Sequence, residues 1–212
     1  MAIEYVKHVS DVTGNLTLTD LLAGDYVLFF AYREASSAAL PVGTTDWVRF
    51  NAGSSGAIHY LACYEHTVAA DGDVTSDMSW STTASVVLAV AFRGVLGRTE
   101  SSRTNGSGSV IVYPERALAA SDGTSWVVTF LAHKSSLPDM TTPVRDLTLL
   151  YSSAKYALNA GPRSDWDELT IAYSGSTALI WISISIALEY DPAYGGENPP
   201  MRLRLPMLLW AV

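Results

Sequence analysis

Short apolar runs alternate with clusters of glycine, serine, threonine and aspartate along the whole chain, and no stretch sustains an apolar period near 3.6. Ile3–Val9 alternates as an opening strand, and Leu16-Thr-Leu-Thr repeats the alternation after Thr13-Gly14. Ala23-Gly-Asp25 turns the chain into Tyr26–Tyr32, a β-branched and aromatic run that predicts a central strand covered on both faces. Leu40-Pro marks a turn, because proline has no donor for a ladder. Asp46–Phe50 then reads as a strand, Asn51–Gly56 as a turn, Ala57–His66 as a strand, and Ala69–Asp73 as a tight acidic turn. Gly97–Gly108, rich in Ser, Gly, Thr and Asn, predicts a long surface loop.

The order then recurs. Ser125–His133 matches Asp25–Arg33 in character, Leu137-Pro echoes Leu40-Pro, and Leu147–Tyr156 echoes Ala57–His66. Val144–Ala160 comes closest to a helical period and is still read as strand. The acidic turn Asp165-Trp-Asp-Glu168 stands where Asp71-Gly-Asp73 stood, and Tyr173–Glu189 repeats the polar-then-apolar course of Ser79–Val95. Many short strands separated by regular turns predict an all-β fold, an antiparallel two-sheet β-sandwich or jelly roll. It is built from two pseudo-repeated halves, about 1–96 and 109–190, joined by the Ser/Gly-rich loop. Each half is too short for a full core, which favours one interleaved domain over 1–190. A Pro/Gly linker and an apolar tail follow over 191–212.

Composition narrows the function. A net charge of −8 disfavours nucleic acid as a partner, since phosphate needs a basic face, and Arg202 with Arg204 is the only basic cluster. Only 16% of residues are charged, fewer than in a typical free globular domain, which suits burial against other subunits. Cys63, the single cysteine, precludes an internal disulfide and lies in a strand-like run as a core residue. Met-Ala-Ile-Glu-Tyr-Val-Lys-His lacks the basic-then-apolar pattern of an export signal, so synthesis in a cytoplasm without export is expected. Thr177–Leu188 is too short to span a bilayer and alternates like a strand.

Ala-Gly-Asp-Tyr-Val-Leu-Phe-Phe-Ala-Tyr-Arg, Pro-Val-Gly-Thr-Thr-Asp-Trp, His-Tyr-Leu-Ala-Cys-Tyr-Glu-His and the run Ser79–Val95 occur in this order. Together with Ser-Trp-Val-Val-Thr-Phe-Leu-Ala and Gly-Ser-Thr-Ala-Leu-Ile-Trp-Ile-Ser-Ile-Ser-Ile-Ala-Leu-Glu, they resemble a jelly-roll module of bacteriophage virion proteins over about residues 15–190. The resemblance implies a non-enzymatic structural protein in a virion, tail-associated or fibre, with capsid decoration as the alternative. It carries over no catalytic residue and no cofactor. The tail departs from it. Met201, Leu203, Leu205, Met207, Leu208, Leu209 and Trp210 would be an association liability if exposed. They fold back as an edge strand or dock on a neighbouring subunit, which makes a homo-oligomer or another virion protein the expected partner.

Candidate chemistry is sparse. Asp71, Asp73 and Asp77 could offer carboxylates to calcium, but the other ligand positions of a calcium loop are absent. Asp165 and Asp167 form a carboxylate pair of the kind a glycosidase holds about 5–10 Å apart, in a turn type too common to carry that reading. No nucleophile elbow, phosphate loop or dinucleotide fingerprint occurs. Among the tryptophans, Trp126 and Trp181 lie inside apolar strands and Trp47 at a packing position. Trp166, flanked by Asp165 and Asp167, is the best candidate for an exposed ring that stacks on a sugar, as exposed aromatics of β-sandwiches often do. A stand-alone carbohydrate-binding module is therefore the rival reading, and a host surface glycan is a further candidate partner.

Overall fold

The computed structural model describes residues 2–11, 16–34, 46–55, 59–76, 86–134, 144–153, 156–172 and 180–194. The Leu-Pro turns, Asp77, Trp80, the first parts of Ser79–Val95 and Tyr173–Glu189, and the tail Met201–Val212 lie outside them. Among the described residues there are fourteen strands and no helix. The first half supplies β1 (Glu4–Asp11), β2 (Thr17–Leu21), β3 (Tyr26–Arg33), β4 (Val48–Ser55), β5 (His59–Thr67), β6 (Gly72–Thr75) and β7 (Val86–Arg93). The second supplies β8 (Val95–Ser107), β9 (Val110–Tyr113), β10 (Trp126–His133), β11 (Thr148–Ser152), β12 (Tyr156–Pro162), β13 (Leu169–Ala172) and β14 (Ile180–Tyr190).

The strands pair antiparallel in the order β1-β7-β3-β5-β4 in one five-stranded sheet and β8-β14-β10-β12-β11 in the other, with β2-β6 and β9-β13 as separate two-stranded ribbons. Strand for strand, the second order repeats the first. Within each half the pairs are nested, first with seventh, second with sixth, third with fifth, as a long hairpin rolled upon itself would place them. Irregularities recur as well. The register slips at Val6, between Tyr5 and Lys7, and at the matching place in β8 between Arg98 and Glu100. It slips again between Arg49 and Asn51 in β4 and between Leu149 and Tyr151 in β11. A bulge inserts one residue at a defined site and re-aims the strand. Its recurrence at matched sites marks a duplicated backbone.

The two large sheets meet through one core that includes Leu28, Phe30, Tyr32, Leu88, Val90 and Phe92 from the first half and Val128, Phe130, Ile182, Ile184 and Ile186 from the second. On its other face each sheet is covered by its own ribbon. Leu16, Leu18 and Leu21 pack on Val27, Phe29 and Ala31, while Ile111 and Tyr113 pack on Val127 and Leu131. This explains why β3 is buried at every position and why its sequence does not alternate. The halves face each other about a pseudo-twofold axis. Phe50 of β4 lies under Arg98 of β8, and in the matching pair of strands, β11 and β1, the Tyr151 ring meets His8 at 5.3 Å.

Four expectations need correction. Residues 97–107, expected as a loop, belong to β8, because the free edge of β14 offers backbone partners along almost its whole length and small polar residues are tolerated on an outer strand. Asn51–Ser55, expected as a turn, continues β4. Leu147–Tyr156 is not one counterpart of Ala57–His66; by position in the sheet β11 matches β4, and β12 matches β5. The halves are also not interleaved. No strand of one half pairs with a strand of the other among the described residues; they join by face-to-face packing and by side-chain bonds such as Arg98 to Glu65.

At the junction, Gly94 takes φ +73° between β7 and β8, and Asp191 beyond β14 donates its N–H to the Gly94 carbonyl at 2.9 Å. Beside it, buried Asp25 accepts from Arg93 through Nε at 2.7 Å and Nη2 at 2.8 Å, and from the Leu22 N–H at 2.9 Å. In the second half Ser125 does the equivalent capping, accepting from the Ala120 N–H at 3.0 Å without a guanidinium.

Candidate functional site

An open cavity of about 630 Å³ lies where the end of the first sheet meets β8. Its floor is built across both halves. Tyr26 starts β3 immediately after the Gly24 turn, and Glu65 stands opposite Leu28 on β5. The Tyr26 hydroxyl donates to the Glu65 carboxylate. Arg98, placed by the β8 slip, donates to the same carboxylate through Nε at 3.0 Å and Nη2 at 3.3 Å, with its guanidinium 4.5 Å over the Phe50 ring. Glu65 and Arg98 keep about a fifth of their side-chain surface exposed, 19% and 23%. Burial, then the hydrogen bond to Glu65, pushes the Tyr26 phenol well above its ordinary pKa, so it remains a donor.

The wall carries Asp46, Val48, His66 and Thr67. His66 Nδ1 lies 2.9 Å from the Asp46 carbonyl oxygen, and the ring packs beside Trp47 with centroids 5.2 Å apart. A carbonyl can only accept, so His66 Nδ1 is the donor in this contact. Val48 is 60% exposed and adds an apolar side to the cavity. Chemically the arrangement is a preformed set of donors and acceptors in which the main cation and anion already satisfy each other.

The residues proposed from sequence fall elsewhere. Trp166 is 2% exposed, packed in the outer core of the second half, and its Nε1–H donates to the Pro114 carbonyl at 3.0 Å. It is a core residue and offers no ring to a sugar, because a turn residue next to charges can still point inward. Asp165 and Asp167 remain exposed on either side of it, and Asp165 pairs with Arg163 at 2.9 Å. Asp71 and Asp73 accept from the backbone N–H groups of Ala23 and Asp20, at 2.9 and 3.2 Å. These carboxylates tie β6 to the end of β2. Among the described residues no group of three or more His, Cys, Asp or Glu side chains gathers to hold a metal ion. Three other readings of single residues fit: Cys63 is fully buried with its thiol pKa pushed up by burial, Trp47 packs on Phe29, and Trp181 is buried, while Trp126 is only partly buried against the central core.

None of the cavity residues stands out in the sequence. Glu65-His66 closes an otherwise apolar strand, which is the usual polar end of such a run, and Arg98 falls in the segment that composition assigns to a loop. What the fold defines is an all-β, multi-sheet sandwich with internal duplication. Comparison of the chain with models of known protein families, with curated protein sequences and with solved structures finds no match.

Proposed function

We propose that the chain is a non-enzymatic structural protein of a bacteriophage particle, carried at its surface in a tail-associated or fibre position. The observation that carries this reading is the nested strand pairing in each half, repeated strand for strand. That pairing supports the jelly-roll reading that the sequence resemblance implies. Both faces of each large sheet are used for packing, by the other sheet and by the half's own ribbon, so contacts with neighbours fall to edges, loop ends and the terminal segment. In this reading Met201–Val212 docks on a second copy or on another virion protein.

The test is to purify particles produced from the genome that encodes the chain and to locate it by mass spectrometry and immunogold labelling. Label on tails or fibres supports the reading, and label over the capsid places the chain as a decoration protein. Absence from purified particles overturns it. A chain lacking residues 201–212 should keep its melting temperature while losing oligomerisation or incorporation; full retention of both removes the docking role.

A further inference from the structure

The duplication supplies an internal control for the cavity. Tyr26 pairs with Thr67 and Phe92, and Trp126 pairs with Pro162 and Leu188, so these three positions correspond. By the same register Glu65 corresponds to Ala160, His66 to Gly161 and Arg98 to Tyr5. The second copy of the site thus has no charged group at any of these three positions. Rings stand there instead: Trp126 meets Phe92 edge-on at 6.0 Å, and Tyr5 meets Phe92 at 6.5 Å. The same backbone position is therefore compatible with an apolar plug, and a partly exposed ion pair is worth less to stability than such packing. The Tyr26–Glu65–Arg98 network with His66 is not what this backbone needs in order to fold.

We propose that the cavity floored by Tyr26, Glu65 and Arg98 and walled by Asp46, Val48 and His66 binds a neutral polyhydroxylated ligand, a saccharide unit. The charge pattern sets the class. Arg98 and Glu65 neutralise each other in a two-point contact, so an anion would meet two carboxylates with no spare cation, and a cation would have to displace Arg98 from Glu65. What remains is Asp46 as an acceptor, Arg98 Nη1 as a donor, and the Thr67 hydroxyl and the His66 ring as further polar groups on the wall. A hydroxyl both donates and accepts, so neighbouring hydroxyls of a sugar match mixed acceptors and donors. The exposed Val48 side chain suits the C–H face of a sugar ring. The volume lies within the range of small-molecule sites, about 300–1,000 Å³, and its open form suits one unit of a longer chain.

The test uses the full chain on an array of neutral and acidic glycans, with saturation-transfer NMR against the methyl glycosides of glucose, galactose and N-acetylglucosamine. Binding of a neutral saccharide is expected, weakened at least about tenfold by Asp46→Asn and by His66→Ala at unchanged melting temperature. Asp146→Asn, at the position corresponding to Asp46, should leave it unchanged. Thr67→Val gives a third variant if His66→Ala lowers the melting temperature. No saccharide bound, acidic glycans alone bound, or binding that survives the cavity variants overturns the proposal. Particle location is read separately, so this site and the virion role stand or fall independently.

Discussion

Phe30 and Phe130 stack with ring centroids 4.7 Å apart and planes inclined by 12°, each the counterpart of the other in its own half. Equivalent residues meet in this way where a two-fold axis passes, so the centre of the core is an isologous contact within one chain.

Phe30→Ala and Phe130→Ala should each destabilise the fold by about 3–5 kcal/mol, since each empties a fully buried site. The rings also stabilise each other, by roughly 0.5–1.5 kcal/mol beyond burial. The double variant should therefore cost less than the sum of the singles, by about that amount, in urea unfolding.

Gly94→Ala should lose more stability than Gly24→Ala. Both glycines have positive φ, +73° and +93°, where an L side chain costs about 1–2 kcal/mol. Only at Gly94 would the new Cβ also meet a ring, Tyr194 at 2.8 Å, while Gly24 faces open space. Thermal unfolding of the two variants, and of Gly94→Ala combined with Tyr194→Ala, separates the clash from the backbone strain.

Acid should destabilise the protein through His59. The ring is fully buried, its Nε2 has no hydrogen-bond partner among the described residues, and burial lowers its pKa from 6.5 to about 4. Between these values the unfolded chain binds a proton that the folded chain refuses. The contribution is thus complete above pH 6.5 and is lost as pH falls towards 4, by roughly 3 kcal/mol. His59→Gln removes this titration, so its urea midpoint should change less between pH 7 and pH 4.5 than that of the parent.

Trp166→Phe should cost about 1–3 kcal/mol, because the buried Pro114 carbonyl loses its donor. Trp166→Ala should cost about 3–5 kcal/mol. Neither should alter glycan binding except through unfolding, which array binding measured well below the melting temperature will show.

Periodicity, turn chemistry and repetition were enough to read the all-β class, the two halves, the central strand at Tyr26–Tyr32 and the core places of Trp47 and Cys63. These follow from local rules: a run with no polar face must be covered twice, and matched turns bring matched strands. Which strands pair, and which faces meet, is set by contacts between residues far apart in the chain. Residues 97–107 become a strand only because β14 presents an edge to them, and Trp166 turns inward only because Pro114 and the second outer core are there to receive it. The cavity belongs to this second kind. Its carboxylate comes from β5, its phenol from β3 and its guanidinium from the other half of the chain, so only the packing of the two sheets brings Tyr26, Glu65 and Arg98 together.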